Sequence, residues 1–444
     1  MKLSLLAGAP MRSDPDIVGL TADSRAVKPG YLFAALPGAR ADGAAFISQA
    51  EENGAAAILA APGIKARAPV IADANPRRRL ALMAAKFYGA QPRIVAGVTG
   101  TNGKTSTVRF AAQLWRLLGE KAGSLGTLGA EAPGFSEKLQ HTTPDPVALH
   151  EMLARMAGAG VDHLAMEVSS HGLAQYRADG VRFAAAAFTN VTQDHLDYHA
   201  DFEDYLAAKL RLFTELLSPG GVAVVNADGE GAERVIDAAT QAGATILTTG
   251  AAGRQIRLAQ VTPHAAGLAI EAQAQGKTYA IDLPLVGAFQ AENALLAAGL
   301  VIGLGAEAAR VLPLLERLEG APGRMQRVAE AGDGVYVDYA HTPDAVATAL
   351  AAIRPHVRGK LIAIIGAGGD RDRKKRPLMG EAAVKGAEKV IVTDDNPRSE
   401  DPAVIRREIL AGAPGAVEIG DRAEAIETGV GMLGPGDVLL ICGK

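Results

Sequence analysis

"RIVAGVTGTNGKTSTVRFAAQLWRLLG", Arg93 to Gly119, decides how the chain is read. "IVAGV" is a short apolar run with the character of a buried strand. "KTSTVRFAAQLWRLLG" carries its apolar residues at helical spacing. Between them a glycine-rich turn ends in Gly103-Lys104-Thr105. Strand, glycine turn and helix make a ready phosphate cradle, because backbone N–H groups at the helix start face an anion and the helix dipole favours it. Gly100 and Gly103 let the backbone approach phosphate oxygens. Lys104 reaches the β- and γ-phosphates, and the Thr105 hydroxyl suits Mg²⁺. The common loop has a glycine five residues before Gly103, where this chain has Val98, so the cradle is a variant one. The competing reading is a tight turn with a solvated lysine.

Outward from this unit, strands and helices alternate. "VALHEMLARMAGAG" reads as helix, "DHLAMEV" and "FAAAAFTNV" as strands, and "DFEDYLAAKLRLFTELL" as a helix closed by "SPGG" before the strand "GVAVVNAD". Such alternation predicts a mostly parallel, doubly wound sheet. The pattern restarts after "LEGAPGR", Leu318 to Arg324, with "GVYVDYA", "KLIAIIGAGG", "KVIVTD" and "DVLLICG" as strands. The first 90 residues form a smaller unit in which "DGAAFISQAEENGAAAIL" reads as helix then strand. The expectation is an α/β protein of three domains: 1–90, 91–320 and 321–444. The glycines from Gly320 to Gly323 are the hinge candidate.

A chain of 444 residues exceeds one ordinary core. At 48% hydrophobic and 21% charged it has a globular composition, and a net charge of −4 argues against a general nucleic-acid binder. Cys442 is the only cysteine, so no intrachain disulfide is possible. No apolar run approaches the roughly 20 residues of a membrane span. The N-terminal patch is too short for a signal peptide, and a cytoplasmic location is expected.

Candidate ligand groups stand at predicted strand ends, where ligands bind in open α/β sheets. "MEVSSHGL" places Glu167 there, and "TNVTQDHLDYH" places Asp194 and His195. Glu167 and Thr105 offer oxygens to Mg²⁺. His195 alone reads equally well as a polar loop residue. Lys209, taken alone, reads as a solvated helix lysine. In the last third, "GGDRDRKKRP" and "TDDNPRSEDP" each follow a strand, and Arg371 and Arg398 suit carboxylates. The competing reading of the basic run 371–376 is a solvated face, and it is kept for Arg373, Lys374 and Lys375. "AIIGAGGDRD" lacks the third glycine of a dinucleotide fingerprint and reads as a turn exposing Asp370 and Arg371.

Taken together, "GVTGTNGKTS", "HTTPD", "MEVSSHGL", "TNVTQDHLDYH", "NALLA", "APGRMQRV", "VDYAHTPDAV" and "GGDRDRKKRPLM" resemble the Mur ligases, in order and across nearly the whole chain. "DNPR" resembles the branch that adds meso-diaminopimelate. The resemblance implies a UDP-binding N-terminal domain, a central ATPase and a Rossmann-like C-terminal domain. It implies that Gly100, Thr101, Asn102, Gly103, Lys104, Thr105 and Ser106 hold ATP phosphates, with Asn293, Arg324, Asp338 and His341 also at the nucleotide. Thr105 and Glu167 would serve one Mg²⁺; His195 and Lys209 would serve a second, with Lys209 carrying a CO₂-derived carbamate. Lys104, Glu167, His195, Lys209 and Arg324 are the implied catalytic group. Ser24, Arg40, Thr142, Thr143, Ser169, Gln175 and Arg177 match the UDP-N-acetylmuramoyl-dipeptide site, although the family often has His-Gln where this chain has Ala39-Arg40. Arg371, Asp395, Asn396 and Arg398 match the amino-acid site. Relatives continue past "ICGK" with Gly-His-Glu, so the C-terminal domain is expected to lack its final segment.

The implied activity is ATP-dependent amide formation in peptidoglycan precursor synthesis, by a monomer acting on ATP, UDP-N-acetylmuramoyl-dipeptide and meso-diaminopimelate. The alternatives are the same ligase specific for L-lysine and a folylpolyglutamate synthetase-like ligase. The latter needs neither "TADSR" nor "DNPR". A nucleotide-driven regulator is a third, weakened by the absence of a guanine-reading Asn-Lys-x-Asp.

Overall fold

A computed structural model describes residues 1–38, 42–192 and 199–443. The chain divides into two compact units, Met1–Thr248 with Gly303–Gly305, and Thr249–Ile302 with Ala306–Lys444.

In the first unit, short apolar runs near the N-terminus form a four-stranded parallel sheet. Its order is β1 (Gly19–Thr21), β2 (Tyr31–Ala34), β3 (Ala57–Ala60) and β4 (Val70–Ala72). The helix Pro76–Tyr88 follows, started by Pro76 and capped by the Asn75 side chain, which accepts from the Arg78 N–H. Proline at the first helical position costs no hydrogen bond there.

The larger sheet of this unit is built around β5 (Ile94–Thr99), which is buried from Val95 onward. After it come β6 (Ala122–Gly126), β7 (Gly129–Ala132), β8 (Phe135–Glu137), β9 (His163–Glu167), β10 (Phe183–Phe188) and β11 (Leu217–Asn226). They lie in the order β11-β10-β5-β9-β6-β7-β8, parallel as far as β6 and antiparallel beyond it. Parallel strands covered on both faces read as continuous apolar runs, which "IVAGV" and "FAAAAF" do. Register sets the site. Phe188 lies opposite Thr99 and Glu167 opposite Val98, so β5, β9 and β10 end at one level.

The helix expected over "DFEDYLAAKLRLFTELL" is shorter than predicted. It runs Phe202–Arg211, capped by the Asp201 side chain, then widens into a π turn at Leu212–Leu216. "SPGG" is not its terminator but lies inside β11, which begins at Leu217.

The boundary between units falls within β12 (Thr245–Gly250). The second unit contains an antiparallel meander, β13 (Ile256–His264), β14 (Gly267–Ala274) and β15 (Lys277–Leu283), and the helix Phe289–Gly303 up to Ile302. It then forms a six-stranded sheet from β16 (Gln326–Ala329), β17 (Gly334–Asp338), β18 (Leu361–Ile365), β19 (Lys389–Val392), β20 (Val417–Glu418) and β21 (Val438–Cys442). Their order is β16-β17-β21-β18-β19-β20, parallel except for β16. Apolar side chains pack on both faces of this sheet, Tyr336 and Leu440 on one and Ile364 and Leu439 on the other. This is the second α/β pattern expected after "LEGAPGR". No helix among the described residues is long and apolar enough to cross a membrane.

Candidate functional site

Gly100 leaves β5 with φ 146°, and a Cβ there would stand 1.8 Å from Thr189 Oγ1, so only glycine fits. The strand-end segment Thr189–Asn190 holds the turn. Asn190 O accepts from the Thr101 N–H at 2.8 Å, Asn190 Oδ1 accepts from the Asn102 N–H at 3.0 Å, and Thr189 Oγ1 donates to Asn102 O at 2.6 Å. Gly103, at φ 84°, starts the helix Lys104–Leu117 without a side-chain cap, which leaves its first N–H groups for an anion. Lys104 Nζ donates to Gly100 O at 2.9 Å and Thr101 O at 2.8 Å, folding the ammonium over the loop. Thr105 and Ser106 are buried in the first turn.

Glu167 ends β9 with 1% of its surface exposed. Its Oε1 accepts from Thr105 Oγ1 at 3.0 Å and the Thr127 N–H at 2.8 Å; its Oε2 accepts from Thr127 Oγ1 at 3.2 Å. These partners are neutral. A buried carboxylate and a hydroxyl beside an uncapped helix start suit Mg²⁺, which takes few protein oxygens and fills its shell with water and phosphate. The residues therefore fit the first ion expected. Lys209 is equally buried. Its Nζ donates to Gly100 O at 2.9 Å and lies 4.2 Å from the centre of the Tyr205 ring. It is not the solvated lysine that its sequence position alone suggested. Tyr205 sits one helical turn before it, and its hydroxyl meets Thr101 Oγ1 at 3.0 Å. His195, like Asp194 and Arg40, lies outside the described residues.

The network continues away from the loop. Thr127 Oγ1 meets Thr142 Oγ1 at 3.0 Å. Thr143 Oγ1 donates to Glu167 O at 3.2 Å and accepts from the Ser169 N–H at 3.0 Å. Arg177 Nη1 donates to Thr143 O at 2.8 Å, and its fork holds Gln175 Oε1. Gln175 and Arg177 line a cavity of about 530 Å³ together with Thr21, Asp23, Arg77 and Glu151. Five expected residues of the UDP-substrate set are thus brought together with Glu167. Ser24 turns its hydroxyl to Gln49 Oε1 at 2.8 Å instead.

The remaining nucleotide candidates form a cluster in the second unit. Asn293 Nδ2 donates to Gln290 Oε1 at 3.1 Å, and Gln290 Nε2 donates to Arg324 O at 3.3 Å. The Arg324 guanidinium lies 5.0 Å from the Tyr339 ring centre, and Tyr339 stacks edge-on with His341. Asp338 accepts from the N–H groups of Met325 and Ala340. Burial pushes its carboxyl above the ordinary range against these bonds. Elsewhere in this unit, Arg371, Asn396 and Arg398 are exposed, with Asp395 half-buried. Arg398 donates to Gly369 O. Arg373 and Lys374 are exposed and Lys375 half-buried, whereas Arg376, for which the solvated-face reading is not kept, is fully buried.

Sequence reasoning did not assign roles to Thr127, Thr189, Asn190, Tyr205 or Asp179. Asp179 is buried between Arg78 and Arg211 and sits just past the cavity-lining Gln175 and Arg177. Burial raises its carboxyl despite both arginines. Its signal was available only as a charged residue beside a glycine.

Fold and site define a phosphate-loop α/β enzyme. More particularly, the chain belongs to the Mur ligase family, a family of ATP-dependent ligases. The model of the Mur ligase middle domain matches residues 98–301, that of the Mur ligase glutamate ligase domain residues 323–444, and that of the Mur ligase family catalytic domain residues 16–88. The chain is 52% identical over 453 residues to the UDP-N-acetylmuramoyl-L-alanyl-D-glutamate–2,6-diaminopimelate ligase of Caulobacter vibrioides, covering 100% of this chain and 93% of the relative. It is 51% identical over 457 residues to the ligase of the same name from Bradyrhizobium diazoefficiens, covering 100% and 94%. A solved structure of a ligase so named superposes with a TM-score of 0.79 at 33% identity, over 100% of this chain and 93% of that one.

Proposed function

We propose that this protein joins meso-diaminopimelate to UDP-N-acetylmuramoyl-L-alanyl-D-glutamate at the expense of ATP, forming ADP and phosphate, in peptidoglycan precursor synthesis. The observation that carries the reading is one hydrogen-bonded chain, from Thr105 through Glu167 and Thr127 to Thr142. It links the phosphate loop to Thr142, whose neighbour Thr143 accepts through its carbonyl from Arg177 of the cavity lining.

In the proposed reaction, a γ-carboxylate oxygen of D-glutamate attacks the γ-phosphorus. The bond to the bridging oxygen breaks, and ADP departs with both electrons. The neutral amine of diaminopimelate then attacks the acyl carbon. Inorganic phosphate leaves, and the nitrogen loses its proton. The loop N–H groups and Lys104 neutralise charge on the transferring group, with Arg324 as a further cation for it. Magnesium held by Thr105 and Glu167, and a second ion at His195 and Lys209, would supply charge neutralisation on the phosphate oxygens. For the second ion, Lys209 would carry a carbamate, which turns a buried cation into an oxygen ligand. Thr142, Thr143, Ser169, Gln175 and Arg177 orient the UDP substrate, with Ser24 and Arg40 at its nucleotide end. Asn293, Asp338 and His341 contact ATP. Arg371, Asp395, Asn396 and Arg398 hold the amino acid.

The domain boundaries follow the same reading: 1–90, 91–320 and 321–444, acting as a cytoplasmic monomer. Phosphate release, measured with each substrate omitted in turn, tests it. Release should require all three substrates, and a mass gain matching diaminopimelate should appear in the UDP product. Efficient release with L-lysine in place of diaminopimelate would reassign the amino acid, and release without the UDP substrate would reject the reading.

A further inference from the structure

Arg376 is the largest side chain buried without exposure among the described residues. It stands in the first turn of the helix Lys375–Gly386, where the helix dipole disfavours a cation. Its own helix therefore gives no reason for a guanidinium there. The reason lies in two loops. Arg376 grips Glu400 with both arms of its fork, Nη1 to Oε2 at 2.9 Å and Nη2 to Oε1 at 2.7 Å. Nη1 also donates to Glu408 Oε2 at 2.7 Å, and Nη2 to Gly368 O at 3.4 Å. Glu400 Oε1 accepts in addition from the Asp370 N–H at 2.6 Å. Arg373 pairs with Glu408. The charges of this quartet cancel, so it supplies rigidity and no net attraction.

The braced loops are strained and touch each other. Of the five non-glycine residues with positive φ among those described, two are here, Asp370 at 53° and Arg398 at 50°. Gly369 N donates to Asn396 O at 2.9 Å, and Arg398 Nη1 donates back to Gly369 O. Ser399 Oγ donates to Asp370 Oδ1 at 2.6 Å. A Cβ on Gly369 would fall 1.8 Å from Pro397 O. Left alone, two left-handed residues in surface loops would relax. The Arg376–Glu400 fork is the buried connection that holds them.

We propose that Arg376, acting through Glu400, is a positioning residue for amino-acid specificity. It locks both loops so that Arg371, Asn396 and Arg398 present one fixed donor set to an amino acid bearing a carboxylate at its far end. This rests on the amino-acid site read above. Lysine keeps the charge at position 376 but cannot make the fork. Arg376→Lys therefore unlocks the loops without stranding two carboxylates.

The test is initial-rate kinetics of the full-length protein and of Arg376→Lys, Glu400→Gln, Arg398→Ala and the double variant Arg376→Lys/Arg398→Ala. Meso-diaminopimelate and ATP are varied, L-lysine is the competitor, and each variant is assayed below its own melting temperature. Arg376→Lys and Glu400→Gln should raise KM for diaminopimelate by about 10- to 100-fold, the usual cost of losing a supporting partner. The KM for ATP and kcat at saturation should stay unchanged, and the preference over lysine should fall. The double variant should lose less than the two single losses added together, since both act on the one donor set. Should Arg376→Lys not fold, Glu400→Gln decides, because its amide oxygen still accepts from Asp370. If Arg398→Ala raises this KM while Arg376→Lys and Glu400→Gln do not, the positioning claim is overturned and the site reading stands. Equal losses in kcat and in both KM values would also overturn it, as a plain folding effect. If Arg398→Ala itself leaves the KM for diaminopimelate untouched, the site reading is what fails.

Discussion

Thr105 and Glu167 lie 62 residues apart in the chain, yet their side chains meet at 3.0 Å in a buried hydrogen bond. The contact follows from register: Val98 pairs with Glu167, and the turn after β5 returns Thr105 to the end of β9. Space around the carboxylate is closed by Gly126, where a Cβ would fall 2.2 Å from Glu167 Oε1. Gly126→Ala should therefore displace the carboxylate with no change in charge. A misplacement of about 1 Å at a reacting centre can cost on the order of 10²-fold in rate. Stopped-flow ADP formation should fall by that order, and the apparent Mg²⁺ requirement should rise. Wild-type rates with wild-type Mg²⁺ dependence would remove Glu167 from the proposed role.

Lys209 gives a second expectation. An ammonium 2.9 Å from Gly100 O and over the Tyr205 ring is well held, but it offers a metal nothing. If it becomes a carbamate, Lys209→Ala should lose activity by about 10²–10³-fold, as for loss of one charge-organising group. Short carboxylic acids should restore part of it, and ¹³CO₂ should give a carbamate carbon signal in the native wild-type protein. A fully active enzyme without that signal would leave Lys209 as a loop-holding cation.

The Glu400–Arg376 pair predicts a pH dependence of stability. The Arg376 fork, with the Asp370 N–H, lowers the Glu400 carboxyl to about 2. A carboxyl depressed in the folded state stabilises above its unfolded pKa, and that contribution fades as pH falls toward the folded value. Melting temperatures of the wild type and Glu400→Gln should thus differ most at neutral pH. The gap should narrow as pH falls from about 4.5 to about 2. A gap that stays constant through this range would show that the pair does not titrate as described.

The strand–turn–helix at Arg93–Gly119 was legible because glycine placement and helical periodicity agree locally. Glu167 was legible for a related reason, as a charged residue ending an apolar run. Thr127 and Asn190 were not. Their roles come from bonds to residues 40 and 88 positions away, which no local pattern encodes. The meander β13–β15 did leave a period-two trace, with β14 alternating buried and exposed along most of its length. No element is assigned there from the sequence, because the polar face of this strand breaks the continuous apolar runs that mark buried parallel strands. Arg376 stood apart from Arg373, Lys374 and Lys375 but was given no role, because only its distant partners Glu400 and Glu408 explain its burial.

The central claim is that ATP activates a carboxylate of the UDP substrate before the amide forms. Transfer of ¹⁸O tests it most directly. UDP-N-acetylmuramoyl-L-alanyl-D-glutamate labelled with ¹⁸O in both oxygens of the γ-carboxylate is turned over with ATP and meso-diaminopimelate, and the inorganic phosphate is analysed by mass spectrometry. The account predicts one ¹⁸O atom in each phosphate released, because the oxygen that attacks phosphorus leaves with it. Amide product formed alongside unlabelled phosphate would contradict it.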